Sequence, residues 1–272
     1  MQKLLRNVKA FYTTSKRSHL PWRHTIDPYK IIVSEMMLQQ TQVERVVPKY
    51  GLFIKEFPSF KALAKADLGD VLLVWSGLGY NRRAKYLHAV ARIVTEKYKG
   101  KFPKDSQEAE KLPGIGHYTA RAVAAFAYNM PEVFIETNIR TVFIHFCFAR
   151  RRSSAILISD TEILPLVERA LASSDMAPRE FYAALMDYGA YLKQQGIRLN
   201  SKSRHYTKQS KFEGSYRQLR GAILRALLEK PATLETLLEM SGRKKSDIVP
   251  VIAALSKEGL ITLANHKFSI SK

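Results

Sequence analysis

Two glutamates stand within apolar stretches of this sequence. Glu35 lies in a largely apolar helical pattern that ends in amide side chains, and Glu136 follows three large apolar residues and precedes Asn138. A carboxyl group that is removed from water has a raised pKa and can carry a proton near neutral pH. Burial of a carboxylate also costs free energy unless the charge is paired with a partner, so an unpaired one indicates a functional site. The two residues therefore indicate acid–base chemistry, although an exposed or helix-capping glutamate is the simpler interpretation of Glu35 on its own.

A glycine-containing turn at residues 112–120 precedes a run of helical character. Gly114 and Gly116 let the backbone turn tightly between helices and approach a neighbouring group closely. The start of the next helix presents free N–H groups and the positive end of the helix dipole, which suits a phosphate. A purely structural turn between two helices explains the same residues, so the interpretation depends on the overall charge.

A second turn, Gly77-Leu78-Gly79, opens a helix in which Tyr80 lies close to Arg82 and Arg83. An aromatic ring beside two arginines is suited to stacking against a base and to binding phosphate. A tyrosine that anchors the turn is the structural alternative.

The chain is strongly basic, with 44 Lys and Arg against 24 Asp and Glu, a formal net charge of +20 and a pI near 10.0. A pI above about 9 is typical of a domain that binds polyphosphate. A ribosomal or generally basic protein is the alternative. The hydrophobic fraction of 46% and the 13 Tyr and 13 Phe exclude a disordered chain.

Cys147 is the single cysteine, which excludes an intrachain disulfide and a four-cysteine iron–sulfur or zinc site. We expect it to be buried as a small apolar residue, and we expect no metal and no cofactor. The first residues lack the apolar run of a secretory signal, and no window approaches the ~18 apolar residues of a membrane span. We therefore expect a soluble intracellular monomer without membrane contacts, cytoplasmic and associated with the nucleoid in a prokaryote.

The spacing of apolar residues is helical over the first 195 residues, and scarcely any segment alternates with a period of two before residue 255. Prolines and glycines separate the helical patterns. The sequence thus predicts a mainly α fold, with helices near 4–12, 29–37, 42–56, 59–65, 68–77, 80–97, 106–111, 117–128, 135–149, 160–173 and 178–193.

Composition changes at Gly196, where a basic segment poor in aliphatic residues begins. This pattern predicts a linker or a basic arm. Three helical patterns follow, at Leu219 to Leu228, Thr233 to Met240 and Lys244 to Lys257, and then a short hairpin. This is the outline of a winged helix with Lys244 and Lys245 at the start of the helix that enters the major groove. A winged helix that binds protein is the alternative. The predicted division is a glycosylase-sized helical domain, a basic linker and a winged-helix domain, at residues 1–195, 196–215 and 216–272.

From about Leu20 to Ala190 the sequence resembles the helix-hairpin-helix DNA glycosylases, in particular the branch that removes adenine opposite 8-oxoguanine. The string Ser-Glu-x-Met-Leu-Gln-Gln-Thr-Gln, which begins at Ser34, is highly specific to that branch, whereas Leu-Pro-Gly-x-Gly at Leu112 is general to the superfamily. The resemblance implies a fold of two helical subdomains. It also implies a monofunctional enzyme that hydrolyses the N-glycosidic bond of mispaired adenine, opposite 8-oxoguanine or G, in double-stranded DNA and leaves an abasic site.

The resemblance further implies roles for single residues. Glu35 matches the acid that protonates the leaving adenine, and Asn138 matches the amide that steadies the catalytic carboxylate at Glu136. Tyr118 stands where bifunctional relatives carry a Schiff-base lysine. Gln39, Gln40 and Tyr80 match residues inserted around the opposite base. The full set of predicted DNA-binding residues is Gln39, Gln40, Tyr80, Arg82, Arg83, Leu112, Gly114, Gly116, His117, Lys244 and Lys245.

Three features depart from the family pattern. Glu136 replaces the aspartate of Asp-x-Asn, and no cysteines follow Asp187-Tyr188-Gly189, where the family carries its iron–sulfur loop. The predicted winged helix stands in place of the C-terminal domain that reads 8-oxoguanine in the full-length adenine enzymes.

The physical requirements of such a reaction fit these residues. Cleavage of an N-glycosidic bond needs one acid for the base and one carboxylate for the cationic sugar. The base must first leave the stack, at about a few kcal/mol. The extra methylene of Glu136 requires a different rotamer or a shifted backbone to place the carboxylate. Two other hypotheses stay open: a T·G or U·G mismatch glycosylase, because related enzymes share the hairpin and the tyrosine, and a damaged-DNA binding protein without catalysis.

Overall fold

The computed structural model describes residues 1–149, 157–208 and 211–271, and these residues are mainly helical. Two short strands, β1 (Ile261–Ala264) and β2 (Lys267–Ile270), pair antiparallel with Ile261 opposite Ile270. The helices are α1 (Gln2–Ser15), α2 (Pro28–Leu38), α3 (Val43–Glu56), α4 (Phe60–Lys65), α5 (Leu68–Trp75), α6 (Arg82–Glu96), α7 (Ser106–Glu110), α8 (His117–Tyr128), α9 (Thr137–Cys147), α10 (Asp160–Ala172), α11 (Pro178–Gln194), α12 (Tyr216–Glu229), α13 (Leu234–Ser241) and α14 (Lys245–Lys257).

The predicted mainly α fold is confirmed, and most helix bounds agree within two or three residues. Two differences have clear local causes. The helix expected from residue 80 begins at Arg82, because Tyr80 has a φ of 49° and is therefore not helical. α12 begins three residues earlier than expected, because the Ser215 side chain accepts a hydrogen bond from the backbone N–H of Gln218 and caps the helix.

The chain forms two compact units, each assembled from separate stretches of sequence. Unit 1 consists of Met1–Glu35, Pro103–Lys111 and Ile115–Lys208, and unit 2 consists of Met36–Phe102, Leu112–Gly114 and Gln209–Lys272. The three consecutive domains expected from composition stay a prediction.

Unit 1 is built around an apolar core to which α1, α8, α9, α10 and α11 contribute. Phe134 stacks on Tyr182 with ring centroids 3.8 Å apart, and the edge of the Tyr118 ring contacts Phe134. The fully buried Phe143 and Leu185 show how closely α9 and α11 pack. Tyr118 packs against this core, and Glu136 and Asn138 lie between Ile135 and Ile139, which pack against it or belong to it.

Unit 2 packs α3 and α4 with α5 and α6. Phe53 contacts Trp75 edge to face, with ring centroids 5.9 Å apart. The segment after Gly214 belongs to the same unit, where α12 packs against α14, β2 and α5. Its order of three helices and a hairpin agrees with the sequence, and Ala232 adds a bridge to Phe268. Its assignment as a winged helix stays a prediction.

The basic segment after Gly196 begins as packed structure. Ile158 and Ser203 form a parallel bridge, and Asn200 accepts a hydrogen bond from the Thr141 hydroxyl at 2.9 Å. The rest of the predicted linker includes Gln209 and Ser210, which lie outside the described residues.

Cys147 is exposed, which corrects the expectation that it is buried. It is the last residue of α9, where the helix leaves the apolar core. Over the described ranges, no helix is both long enough and apolar enough to cross a bilayer.

Candidate active site

Glu35 lies in the interior of α2, on the most buried helix of the predicted site. Its neighbours Val33, Ser34 and Met36 are at most 1% exposed, and Glu35 itself is 7% exposed. The Tyr118 hydroxyl donates a hydrogen bond of 2.8 Å to Oε2 of Glu35. α2 therefore fixes this carboxyl group within an apolar wall, with a phenol as a polar partner.

Burial raises the pKa of Glu35 to about 7. The hydrogen bond from Tyr118 and the charge of Arg23 act in the opposite direction, whereas the negative charge of Glu136 raises the pKa further. Burial also raises the pKa of Tyr118 well above its usual value, so the phenol keeps its proton and remains a donor. Glu35 can thus hold a proton near neutral pH, as the sequence predicts.

Glu136 occupies the N-cap position of α9, and its side chain folds back onto its own helix. Oε1 accepts hydrogen bonds from the backbone N–H groups of Asn138 and Ile139, at 2.8 and 2.9 Å. The side-chain amide of Asn138 donates to Oε2 at 3.2 Å. Ser, Thr, Asp and Asn are the usual N-cap residues, so this folded rotamer is how the longer glutamate takes the place of an aspartate.

Lys193 joins this arrangement from α11, and sequence reasoning did not single it out. Its Nζ donates a hydrogen bond of 2.7 Å to Oδ1 of Asn138. Because an ammonium can only donate, the amide of Asn138 must point its oxygen at Lys193 and its NH₂ group at Glu136. Burial lowers the pKa of Lys193, while the charge of Glu136 opposes this shift.

Asp187 is a buried acid that anchors two arginines in the same unit. It is 2% exposed, and it accepts hydrogen bonds from Arg17 Nε at 2.7 Å and from Arg23 Nη2 at 2.9 Å. Burial lowers the pKa of Arg23, and the charge of Asp187 opposes this effect. In the described part of the chain, Nη1 of Arg23 is buried without a hydrogen-bond partner.

The glycine turn at residues 112–116 contains one glycine that the structure requires. Gly114 has a φ of 73°, and a Cβ atom there would lie 2.4 Å from the Tyr86 ring. Gly116 precedes α8 and supplies no side-chain cap to this helix, and a phosphate contact at its start stays a prediction. His117 is exposed, whereas Leu112 is buried, so the Leu112 side chain belongs to the core.

Two turns of unit 2 hold the residues expected to surround the opposite base. Gln40 and Tyr80 have φ values of 53° and 49°, a left-handed conformation that is rare for such side chains. Strained backbone of this kind is concentrated at functional sites. Tyr80 is 36% exposed, and Gln40 is also exposed.

Arg83 organises these two turns, and its predicted contact with DNA stays a prediction. Its guanidinium donates to the carbonyl oxygens of Met37, Gln39 and Gly79, at 2.9, 2.6 and 3.2 Å. Arg83 is 7% exposed, and burial lowers its pKa to about 10. Nη1 and Nη2 of Arg83 donate within the protein, so the residue positions the turns.

The remaining predicted DNA-binding residues lie at the surface. Arg82 is exposed at the start of α6, and Lys244 and Lys245 are exposed at the start of α14. Their contacts with DNA stay predictions. Among the described residues, no group of three His, Cys, Asp or Glu side chains is arranged to hold a metal ion.

Comparison with known protein families identifies the superfamily of this chain. Residues 33–189, more than half of its length, match the model of the HhH-GPD superfamily base excision DNA repair proteins. The chain belongs to this superfamily. The match includes Glu35, Tyr118, Glu136 and Asn138, and it ends at Gly189.

Curated relatives within the superfamily are adenine DNA glycosylases. The chain is 38% identical over 189 residues to that of Buchnera aphidicola subsp. Baizongia pistaciae, with 68% of this chain and 51% of the relative covered. It is 40% identical over 182 residues to that of Mycolicibacterium smegmatis, with 66% and 60% covered. The chain thus spans about half to three fifths of the length of these relatives.

Solved structures of the superfamily share the fold. A thermostable thymine-DNA glycosylase superposes with a TM-score of 0.59 at 26% identity, covering 70% of this chain and 85% of that chain. Endonuclease III in a trapped covalent DNA intermediate superposes with a TM-score of 0.55 at 19% identity, covering 70% and 84%. The expectation of a helix-hairpin-helix glycosylase fold is confirmed.

Proposed function

We propose that this protein is a monofunctional DNA glycosylase that acts on double-stranded DNA and hydrolyses the N-glycosidic bond of adenine opposite 8-oxoguanine or G. The observation that carries the proposal is the pairing of two carboxyl groups in different environments. Glu35 is buried with a pKa raised to about 7, and Glu136 is surrounded by N–H donors at a helix start. Glycoside cleavage typically uses two carboxyl groups, one in an environment that favours its protonated form and one in an environment that favours its charged form.

Adenine as the substrate is supported by the relatives. Those named adenine DNA glycosylase are 38–40% identical to this chain over about two thirds of its length. The string from Ser34 to Gln42 also resembles the adenine branch, and Glu35 lies within it.

Glu35 and Glu136 have different roles in the proposed reaction. Neutral Glu35 gives its proton to a ring nitrogen of adenine as the bond from C1′ to the base breaks, and the bonding electrons leave with the base. The Glu136 carboxylate stabilises the positive charge that develops on the sugar. Water then adds to C1′ and loses a proton to the Glu35 carboxylate, which restores the acid. The products are free adenine and an abasic site.

Base release from a matched set of duplexes tests this assignment. Strands that carry A·8-oxoG, A·G, T·G or U·G at one position are incubated with excess protein and then cleaved with hot alkali. We expect release from the first two. Release of only thymine or uracil would replace the assignment by that of a mismatch glycosylase, and binding without any release would make the protein a damage-binding protein.

The reaction is expected to stop at the abasic site. Tyr118 cannot form the imine needed for strand cleavage, and the nearby Lys193 is engaged with Asn138. Borohydride trapping on the substrate duplex should therefore yield no appreciable covalent complex. Tyr118→Lys serves as the positive control, and efficient trapping of the unmodified protein would contradict the proposal.

A T·G or U·G mismatch glycosylase is the second candidate. It is favoured by the likeness to a thermostable thymine-DNA glycosylase at 26% identity over 70% of the chain. The same duplex set distinguishes the two candidates, because they differ in the base that is released.

A further inference from the structure

Positive charge is concentrated in the segment of residues 197–208, which follows α11 and belongs to unit 1. The sequence from Tyr188 to Phe212 contains no aspartate and no glutamate. Four cationic side chains of the segment are exposed, namely Arg198, Lys202, Arg204 and Lys208. None of them belongs to the predicted DNA-binding set, and the proposed reaction does not use them.

This segment is attached to the body of unit 1 by backbone and side-chain contacts. The backbone N–H of Ile158 donates to the Lys202 carbonyl oxygen at 2.9 Å, and that of Arg204 donates to the Ile158 carbonyl oxygen at 3.0 Å. The side chains of Ile197 and Leu199 pack against the apolar core of the unit. A surface that is ordered before binding loses little conformational entropy on association. The segment is therefore suited to present its cations to a partner at defined positions.

The segment is attached close to the carboxylate that acts in the proposed reaction. The Thr141 hydroxyl of α9 donates to Oδ1 of Asn200 at 2.9 Å, and Glu136 caps the start of the same helix. Thr141 follows Glu136 by less than two helical turns, at roughly 3.6 residues per turn. In the proposed reaction Glu136 acts on the sugar of the excised nucleotide, and this sugar is bonded to the phosphates on both sides. Cations attached here are therefore close to the path of that strand.

Asp160, at the start of α10, is an acid that contacts this segment. His205 Nε2 lies 3.7 Å from its Oδ2. A carboxylate here would repel a phosphate, but Arg140 of α9 donates to both of its oxygens, at 2.7 and 2.8 Å. The negative charge of Asp160 is thus balanced within the protein, and the exposed cations of the segment determine the charge of this surface.

We propose that the 197–208 segment binds phosphate groups of the strand that carries the excised adenine, through Arg198, Lys202 and Arg204. The inference rests on the proposed function and adds a backbone-binding surface to it. Arginine binds phosphate through two parallel hydrogen bonds, and lysine binds it as a point charge. Phosphate contacts fix the position of a protein on DNA without reading the base sequence. The segment therefore holds the target strand beside α9 while Glu136 meets its sugar.

The salt dependence of binding tests whether the three side chains contact phosphates. The probe is a duplex with an uncleavable 2′-fluoro adenosine opposite 8-oxoguanine, titrated with the full-length protein at several salt concentrations. Each phosphate contact contributes about 0.9 to the slope of log affinity against log salt, so Arg198→Gln/Lys202→Gln/Arg204→Gln should reduce the magnitude of the slope by roughly 2.7. All three side chains are exposed, so folding is expected to be unaffected.

A charge-matched variant controls for the loss of net charge. Lys3→Gln/Arg6→Gln/Arg169→Gln removes three exposed cations from α1 and α10 of the same unit, and its slope should stay at the wild-type value. A second control, Arg198→Lys/Arg204→Lys, retains the charges of the segment and should retain the slope.

Neutral linkages in the DNA identify the strand that is bound. Methylphosphonates replace the phosphates next to the target nucleotide, either in the adenine strand or in the opposite strand. In the adenine strand, they should weaken binding of the wild type more than binding of the triple glutamine variant of the segment, because this variant has already lost the same contacts. In the opposite strand, they should weaken binding of both proteins equally.

The outcomes separate this inference from the catalytic assignment. An unchanged slope in the triple glutamine variant of the segment would overturn the inference, as would an equal decrease in the charge-matched control. Coupling of the segment to methylphosphonates in the opposite strand alone, or in neither strand, would overturn it as well. None of these measurements requires release of adenine, because the target nucleotide is uncleavable. Failure of the proposed function is detected separately, as missing adenine release from cleavable duplexes.

Discussion

In the interior of α2, Glu35 is surrounded by buried aliphatic side chains, whereas at the start of α9 Glu136 is surrounded by N–H donors of its own helix turn. In the first region, removal of water disfavours the charged carboxylate and raises the pKa of Glu35 to about 7. In the second region, three donors and the positive end of the helix dipole support negative charge.

The difference shows how one residue type can supply both the acid and the carboxylate of a glycosidic cleavage. The surroundings decide the role: packing around α2 buries Glu35 among apolar side chains, and the start of α9 offers N–H groups to Glu136. The two regions also interact, because the charge of Glu136 contributes to the raised pKa of Glu35. Most of the following changes replace a residue of only one of the two regions.

Removal of either carboxyl group should have the largest effect. Glu35→Gln and Glu136→Gln should each lower single-turnover adenine release by about 10²–10⁴-fold, the usual contribution of a positioned acid or base, with duplex binding largely unchanged. Glu44→Gln is the matched control, because Glu44 is exposed on the next helix. Near wild-type release by Glu136→Gln would exclude Glu136 from the chemistry.

Substitution of Lys193 tests whether the folded rotamer of Glu136 matters for base release. Lys193→Met frees the Asn138 amide to turn, and release should fall by about 10–100-fold, since a small misplacement of a reacting group has effects of this size. Lys193→Arg, which can still donate, should retain most activity. In a double-mutant cycle with Asn138→Ala the two losses should be less than additive, because both residues act on the same carboxylate. Additive losses would show that Lys193 acts independently of Asn138.

The pH profile tests the environment of Glu35. The acid form is needed for protonation of the base, so the single-turnover rate should fall about 10-fold per pH unit above a pH near 7. Glu35→Gln should remove this dependence from the residual rate. A rate that is constant from pH 6 to pH 9 would show that Glu35 does not donate the proton.

The burial of Glu35 should also lower the free energy of unfolding at alkaline pH. The folded-state pKa of Glu35 is raised from 4.5 to about 7, so the folded protein binds the proton more tightly than the unfolded chain does. This contribution is fully present below about pH 4.5 and is lost as the pH rises through 7. It amounts to roughly 3 kcal/mol at most, at about 1.4 kcal/mol per unit. The free energy of unfolding of Glu35→Gln, measured in urea, should therefore increase relative to that of the wild type from pH 5 to pH 8. The same difference between variant and wild type at both pH values would contradict this prediction.

Much of the fold and the two carboxyl groups could be predicted because their signals are local. Apolar spacing marks α2 as a buried helix, and the chain around Glu35 therefore predicts its desolvation. The glycine turn and the start of α8 are likewise defined by residues adjacent in sequence.

The features that could not be predicted from the sequence depend on contacts between residues that lie far apart along the chain. Lys193 and Asn138 are separated by 55 positions, and only the packing of α11 on α9 brings them together. Arg83 looks like a surface cation in sequence, yet two of the carbonyl groups that accept its hydrogen bonds, those of Met37 and Gln39, lie more than 40 residues earlier. The grouping of the C-terminal segment with Met36–Phe102 has no counterpart in composition.

The central claim, that Glu35 carries a proton near neutral pH while Glu136 does not serve as the acid, is tested most directly by titration of the carboxyl group itself. Carbon-13 NMR of protein labelled at the glutamate side-chain carboxyl carbon identifies Glu35 as the resonance absent from Glu35→Gln. The account predicts a pKa of about 7 for this resonance, which moves lower when Glu136 is replaced by Gln. A Glu35 resonance that titrates near 4.5, or that does not respond to Glu136→Gln, would contradict the account.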